Sequence, residues 1–166
     1  LPTTINNVET LASVSHILNR GAEWYKGLCL SNPKSTGTKL ISVCGHVQRP
    51  GNYEVTMGTP MKDLIFDMCG GMKPGRTLKA VIPGGSSVPI MTAAETEDCL
   101  LDYEGVVARG SMLGSAGMIV MDDSTDMVYQ IWRLARFYAH ESCAQCTQCR
   151  EGTAWTTKIL ERILAG

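Results

Sequence analysis

Three cysteines at a constant spacing are the residues of this chain best suited to chemistry. Cys143, Cys146 and Cys149 form a C-x2-C-x2-C run. Thiolates are soft ligands, and a run of this kind supplies three of the four ligands of a [4Fe–4S] cluster. Because two-residue gaps let successive sulfurs turn toward one centre, we expect three free thiols that converge on an open site.

A cubane cluster has four irons and needs a fourth ligand, and no candidate is evident near the run. In bacterial ferredoxins the run continues as C-x3-C-P, whereas Cys149 is followed by Arg-Glu-Gly-Thr. This difference excludes a self-contained ferredoxin. We therefore expect the fourth sulfur to come from a position that is distant in sequence.

Zinc is the competing interpretation of the same residues. Structural zinc sites prefer two C-x2-C pairs, or one pair with two histidines. His140 could supply a fourth ligand, but it lies on the helix that is predicted to precede the run. The triple spacing favours an iron–sulfur cluster over zinc or unliganded thiols, and we interpret His140 as a surface or capping residue.

The composition narrows the classes of protein further. Fifteen basic and sixteen acidic residues give a net charge of −1, which argues against a general nucleic-acid-binding surface. No basic region precedes an apolar stretch, and no apolar run approaches the roughly 18 residues that span a bilayer. We therefore expect no nucleic-acid partner, no signal peptide and no direct membrane insertion.

The use of cysteine indicates a reducing compartment. The chain has seven cysteines, and an odd number with one cluster makes a poor disulfide framework. A free cysteine outside such a cluster packs like a small hydrophobic residue. We expect the four isolated cysteines to be buried or half-buried: Cys29, Cys44, Cys69 and Cys99.

Residues 1–36 predict a helix followed by a loop. Apolar residues recur at helical spacing after the first seven positions. Asn6 or Asn7 can cap this helix, and Gly21 stops it. A loop is predicted at residues 31–37, which are rich in Ser, Asn, Pro and Gly.

Residues 37–122 predict a small β-rich domain. Thr59 and Pro60 are typical of a helix cap and of the first helical position, so a helix is expected to begin there. Residues 83–87 are glycine-rich but lack the ending of a nucleotide-binding loop, and we interpret them as a structural turn. Strands are predicted at residues 39–44, 52–55, 79–82 and 118–121. This order of elements is that of a β-grasp fold.

Residues 123–166 predict two helices joined by the cysteine run. Apolar residues mark one face of a helix that ends near His140, and a second helix is expected over residues 153–164. Trp155 could shield the metal site, but we favour its interpretation as a core residue of this second helix. Two short amphipathic helices cannot bury their apolar faces alone, so further helices are expected. The predicted class is α+β: a β-grasp domain followed by part of a helical bundle that carries an iron–sulfur site.

Five segments of the chain resemble segments of a known protein family and occur in the same order as in that family. They are residues 2–12, 45–54, 83–87, 110–121 and 141–152. Together they resemble the C-terminal half of the NADH-binding flavoprotein subunit of respiratory complex I. Diaphorase subunits of NAD-reducing hydrogenases and of NAD-dependent formate dehydrogenases share the same plan, so the resemblance does not separate these groups.

The resemblance implies a division of the chain and a set of cofactors. It implies that residues 1–36 are the end of a flavin-binding domain with a connecting helix. Residues 37–122 would be a β-grasp domain of the soluble ligand-binding type, and residues 123–166 the start of a helical iron–sulfur bundle. The whole family protein oxidises NADH through FMN and passes electrons to one [4Fe–4S] cluster on the way to quinone.

The resemblance also implies the roles of particular residues. Asn6 and Asn7 match a segment that borders the flavin, so they are expected at the edge of the FMN pocket. The alternative is that they only cap the helix. Cys143, Cys146 and Cys149 match three of the four cluster ligands, and the fourth lies in a later segment of the family.

The partners and the location follow from the same resemblance. The expected partners are other peripheral-arm subunits of complex I, especially the [2Fe–2S] thioredoxin-like subunit. The expected location is the cytoplasm, or the cytoplasmic face of the bacterial inner membrane. The glycine-rich loops and acidic residues that hold FMN and NADH are missing from this sequence, so we expect a fragment that cannot act alone. A β-grasp module that binds a ligand or a partner, with idle cysteines, remains the alternative.

Overall fold

The structure of the chain is a computed structural model. It describes residues 1–31 and 34–166. Residues 32 and 33, which belong to the loop predicted before the first strand, lie outside the described residues. The chain forms two compact units, Leu1–Asp123 and Ser124–Gly166.

The first unit begins with the helix that the apolar spacing predicts. Helix α1 (Val8–Arg20) is capped by Asn7, whose side-chain oxygen accepts hydrogen bonds from N–H groups of the first turn. Gly21 follows the helix with a φ of 88°, a value that favours glycine. A short helix, α2 (Ala22–Lys26), comes next.

The centre of the first unit is a mixed sheet. In the described part of the chain the strands are β1 (Thr38–Gly45), β2 (Gly51–Thr56), β3 (Thr59–Pro60), β4 (Leu78–Ile82), β5 (Met91–Thr92), β6 (Leu100–Leu101) and β7 (Gly117–Asp122). Five of them pair in the order β2-β1-β7-β4-β5. The β1 and β7 strands are parallel, and the other neighbours are antiparallel. Each of the four predicted strands is present.

The short strand β3 shows that the helix expected from Thr59 and Pro60 begins slightly later than predicted, at Met61. Thr59 and Pro60 do not begin a helix; they pair with β6 in a separate two-stranded sheet. The next residue continues this pairing, because the Met61 N–H donates a hydrogen bond to the Cys99 carbonyl at 2.8 Å. The backbone is therefore bound to a strand partner where a helix N-terminus was expected.

The helix begins directly after this strand: Met61 and Lys62 are α-helical, and a π-helix, Asp63–Met68, continues from them. The π-helix buries Leu64 and Ile65. Two short helices were not predicted: α3 (Ala93–Glu97), although Thr92 and Glu95 form the capping box that signals a helix start, and α4 (Tyr103–Ala108). Each is stabilised by a side-chain cap, from Thr92 and Asp102 respectively.

One hydrophobic cluster fills the first unit. It combines the inward side chains of the sheet with those of the π-helix and the connecting segments. Complete burial of an aliphatic side chain contributes about 1.5–3 kcal/mol, so this cluster is the main source of stability. Its largest fully buried side chains include Ile41, Met61, Leu64, Ile65, Met91, Leu101, Leu113 and Met118.

Residues 83–87 and a second glycine-rich segment, residues 110–117, pack against each other through their backbones. The Gly85 N–H donates to the Gly117 carbonyl at 2.7 Å, and the Ser115 N–H donates to the Gly84 carbonyl at 3.2 Å. A Cβ atom at Gly84 would lie 2.4 Å from the Leu113 carbonyl oxygen. This close approach requires glycine and supports the interpretation of the first segment as a structural turn.

The second unit is a pair of helices, α5 (Met127–Glu141) and α6 (Thr147–Ala165). The Trp132 Nε1–H donates to Glu161 Oε1 at 3.3 Å and links the two helices. Neither helix contains a buried residue. Trp155 is 63% exposed, so its assignment to a core is wrong for this unit: within residues 124–166, α6 packs against α5 alone. No helix in the described ranges is long and apolar enough to cross a membrane.

Candidate metal centre

The cysteine run lies where α5 ends and α6 begins. Cys143 is in the connection, Cys146 is the N-cap of α6, and Cys149 is in the first turn of α6. The second helix was predicted to begin at residue 153, and this boundary is wrong. No Pro or Gly lies between the cap and position 152, so helical bonding extends back to the Cys146 carbonyl. That carbonyl accepts from the N–H groups of Cys149 (3.1 Å) and Arg150 (2.9 Å).

The connection between the helices is held by its own hydrogen bonds. Ala144 has a φ of 62°, in the left-handed region, and its N–H donates to Ser142 Oγ at 3.2 Å. The Arg150 guanidinium donates to the Ala144 carbonyl at 2.7 Å and to Glu151 Oε1 at 3.1 Å. Arg150 therefore fixes the backbone between the first two cysteines.

The three thiols of the run are free and exposed. The sulfur of Cys149 lies 3.3 Å from Ser142 Oγ. Within residues 1–31 and 34–166, no group of three or more His, Cys, Asp or Glu side chains lies close enough together to hold a metal ion. The prediction of converging thiols is thus wrong, and the Cys149 sulfur contacts Ser142 Oγ instead.

The chemistry of this donor set nevertheless fits a soft metal centre. Thiolate sulfur is the ligand of iron–sulfur clusters, and all three sulfurs are accessible at the N-terminus of a 19-residue helix. Rotation about the side-chain bonds changes the direction of each sulfur without moving the backbone. The N–H groups and the positive dipole end at this terminus favour a bound group that carries negative charge.

His140 does not join the three cysteines. Its side chain is 85% exposed, and its Nδ1 lies 3.0 Å from Glu141 Oε1. We expect the His140→Ala variant of the full-length protein to keep its wild-type iron content, because the imidazole is not needed as a ligand. Metal analysis of the two purified proteins checks this expectation. A loss of metal from the variant would instead support the zinc site.

Arg150 should control how long a bound cluster persists. We expect Arg150→Ala to shorten the lifetime of the cluster about threefold, because the connection loses a hydrogen bond from a charged donor. This lifetime is measured by adding an iron chelator and monitoring the release of iron through the visible absorbance. The matched control is Arg162→Ala in the last turn of the same helix. Equal lifetimes in the Arg150 variant and the wild type would contradict the role of the guanidinium.

The four isolated cysteines divide between core and surface. Cys69 and Cys99 are buried and Cys29 is half-buried, as predicted. Burial raises the pKa of Cys99 to about 11, which keeps it a neutral thiol. Cys44 is exposed, so the prediction for this residue is wrong. Its side chain lies on the face of β1 opposite that of the buried Val43, as strand alternation requires.

The two N-terminal asparagines lie at the start of α1. Asn7 Oδ1 accepts hydrogen bonds from the N–H groups of Glu9 (2.8 Å) and Thr10 (3.4 Å). Asn7 is therefore a helix cap, and Asn6 is the exposed residue before it. The cap ties the position of this pair to the position of α1.

A carboxylate that the sequence pattern did not single out joins the same turn to the sheet. Glu9 Oε2 accepts from Lys39 Nζ at 2.7 Å, and Glu9 Oε1 accepts from the Leu40 N–H at 2.7 Å. Partial burial raises the pKa of Glu9, but these hydrogen bonds outweigh burial and hold it below its usual value. The hydrogen bond to Glu9 raises the pKa of Lys39. Both groups are therefore charged at neutral pH.

Two family models match the chain. The model of the SLBB domain matches residues 39–129. The model of the NADH-ubiquinone oxidoreductase-F iron-sulfur binding region matches residues 129–166, which contain the whole cysteine run. These matches confirm the predicted β-grasp class and the predicted iron–sulfur binding region.

Curated relatives match almost the whole chain. One of the NADH-quinone oxidoreductase F subunits of Rhizobium meliloti (strain 1021) is 52% identical over 99% of this chain and 38% of the relative. The NADH-quinone oxidoreductase F subunit of Rickettsia bellii (strain OSU 85-389) is 49% identical over 99% of this chain and 39% of the relative. The chain thus spans about two fifths of the length of these relatives.

Solved structures of NAD+-reducing [NiFe]-hydrogenase have the same fold. The air-oxidized state matches with a TM-score of 0.79 and 36% identity, over 99% of this chain and 27% of that chain. The H2-reduced state matches with a TM-score of 0.82, also at 36% identity, over 99% and 26%. By sequence and by fold, this chain belongs to the SLBB domain family and carries, after that domain, the iron–sulfur binding region of the NADH-quinone oxidoreductase F subunits.

Proposed function

We propose that this chain is a segment of the NADH-binding flavoprotein subunit of an NADH-quinone oxidoreductase. The observation that carries the proposal is the set of three exposed thiols at the start of α6, within residues that match the iron–sulfur binding region. Because the chain spans 38% of its relative from Rhizobium meliloti, the proposed activity is that of the longer protein. That protein oxidises NADH through FMN and passes electrons toward quinone.

Cys143, Cys146 and Cys149 are the proposed protein ligands of a [4Fe–4S] cluster. Their thiolates would bind three irons, and the fourth ligand would come from a later segment of the longer protein. When bound, FMN accepts the electron pair of NADH and the cluster carries single electrons onward. The first-turn N–H groups of α6 and the Arg150 hydrogen bond to Ala144 hold the ligands and favour an anionic group between them.

Asn6 and Asn7 are the proposed contribution of this chain to the edge of the FMN pocket. The oxygen of the Asn7 amide caps α1, so the NH2 group is the part of this side chain suited to donate to a flavin oxygen. One residue can thus serve both as the helix cap and as a wall of the flavin site. Capping fixes the amide plane and orients this donor.

The division of the chain follows the same proposal. Residues 1–36 would complete the flavin-binding domain, residues 37–122 form the β-grasp domain, and residues 123–166 begin the helical bundle. The proposed partners are other peripheral-arm subunits, in particular a [2Fe–2S] thioredoxin-like subunit. The proposed location is the cytoplasmic face of the bacterial inner membrane, to which those partners would attach the protein.

An anaerobic titration of the full-length protein with NADH tests the proposed function. We expect flavin absorbance to bleach and iron–sulfur absorbance near roughly 400 nm to fall in the same titration. Electrons should then reach an added quinone analogue. A purified protein that holds iron and flavin but is not reduced by NADH would contradict the proposal.

A diaphorase subunit of an NAD-reducing hydrogenase is the second candidate. It is favoured by the fold match to that hydrogenase, with a TM-score of 0.82. The identity to NADH-quinone oxidoreductase F subunits is higher, 52% against 36%, and this difference favours the first candidate. Reduction of NAD+ by hydrogen in the purified complex, without NADH-dependent quinone reduction, would select the diaphorase.

A further inference from the structure

The Glu9 carboxylate connects α1 to the first strand of the sheet. Its two oxygens accept hydrogen bonds from two different donors on β1, the Lys39 ammonium and the Leu40 N–H, both at 2.7 Å. The Lys39 and Glu9 side chains are only 19% and 30% exposed. This ion pair is therefore less screened by solvent than a pair on the open surface.

The Leu40 N–H is a donor that the sheet leaves open. The N–H of Ser42, two residues further along β1, donates to the Ala116 carbonyl at 3.0 Å. Because N–H groups two residues apart on a strand point to the same side, the Leu40 N–H points to the β7 side as well. Pairing between β1 and β7 begins only at Ser42. Glu9 thus supplies the acceptor that a longer β7 would have supplied.

Few other contacts fix the direction of α1. The helix contains no buried residue, so the packing of apolar side chains contributes little to its attachment. An open groove of about 920 Å3 follows α1, and both Asn7 and Glu9 line it. A two-point attachment by Glu9 therefore has a large share in setting where the first turn lies.

The same residue is bonded to the helix cap. The Glu9 N–H donates to Asn7 Oδ1 at 2.8 Å, while the Glu9 carboxylate is held by β1. The chain of contacts from β1 to Asn7 thus passes through one residue. If the carboxylate is lost, the cap and the exposed residue before it lose their fixed place relative to the sheet.

We propose that Glu9 is a positioning residue for the flavin. It does not contact the flavin itself; it holds Asn6 and Asn7 in place through the anchor on β1. This inference rests on the proposed function, in which these two asparagines border FMN. It predicts that removal of the carboxylate weakens the binding of FMN while the cluster remains bound.

Flavin binding to the full-length holoprotein tests this inference. We expect Glu9→Ala to weaken FMN binding about tenfold, since two hydrogen bonds to a charged acceptor are lost. The Glu9→Gln variant keeps an acceptor for Leu40 but loses the charge, and we expect a weakening of about threefold. The quenching of flavin fluorescence on binding measures the dissociation constant. Iron content and the KM for NADH of the flavin-loaded protein should stay at wild-type values.

The matched control is Glu23→Gln, which breaks an exposed i,i+3 pair with Lys26 (2.8 Å) on α2. This variant also loses one carboxylate charge, but it leaves the Glu9 anchor on β1 intact. We therefore expect wild-type FMN affinity. Wild-type affinity in Glu9→Ala would overturn the inference, and the proposed function would stand if NADH still reduced the wild type. Parallel loss of FMN, iron and folded protein would indicate a general structural role and also overturn it. A wild-type protein that bound no FMN would overturn both.

Discussion

The Cys146→Ser variant of the full-length protein is expected to lose its iron–sulfur cluster. A serine hydroxyl stays protonated at neutral pH and is a harder donor than thiolate, so it replaces the ligand poorly. Changes outside the ligand shell already cost about 10–100-fold in metal affinity, and the loss of a ligand should cost at least as much. The iron and sulfide content and the EPR signal of the reduced protein should therefore fall at least tenfold.

The position of Cys146 makes this substitution informative. Cys146 is the N-cap of α6 and has no side-chain capping bond, whereas serine is among the best N-cap residues. The variant should thus keep or strengthen the helix, and fraying of α6 cannot explain a lost cluster. Cys44→Ser, at an exposed thiol on β1, is the control and should retain full iron content. A full cluster in the Cys146 variant would refute the ligand assignment.

The second large effect is expected at Gly84, where alanine should destabilise the first unit by about 3 kcal/mol. A Cβ atom there would lie 2.4 Å from the Leu113 oxygen and 2.5 Å from the Met112 oxygen. Both atoms belong to the backbone, so no side-chain rotation can relieve the clash. The contact between the two glycine-rich segments must then open, and it includes the 2.7 Å hydrogen bond from Gly85 to Gly117.

Urea denaturation of the full-length protein measures this loss as a change in the free energy of unfolding. Gly51→Ala is the matched control, since the nearest atom to its Cβ is a ring carbon of Tyr53 at 3.8 Å. We expect this control to change the free energy of unfolding by less than about 0.5 kcal/mol. If Gly84→Ala lowered the free energy of unfolding by as little as the control does, this result would contradict the close packing of the two segments.

The regular elements of this fold follow from local patterns. The apolar spacing, the Asn7 cap and Gly21 are enough to predict α1. Short apolar runs with high strand propensity, bounded by turn residues, predict β1 and β7. The two-residue strands could not be predicted, because pairing with a distant partner, and not their own sequence, makes them strands. The same reason explains Thr59, whose residue type indicates a helix cap while its backbone pairs with Leu101.

The candidate site was predictable where spacing carries the signal. The constant spacing identified Cys143, Cys146 and Cys149 as a soft donor set. Spacing could not show that α6 begins within the run, because that boundary depends on helical bonding to the Cys146 carbonyl. Glu9 also gave no signal, since its two donors are about thirty residues away in sequence and meet it only after the sheet forms.

EPR spectroscopy of the full-length protein, together with iron and sulfide analysis, tests most directly whether these three cysteines hold a [4Fe–4S] cluster. We predict about four irons and four sulfides per chain. A reduced-cluster signal should appear on addition of NADH and be absent from the Cys146→Ser variant. Stoichiometric zinc without iron, or a signal of equal size in that variant, would contradict the assignment.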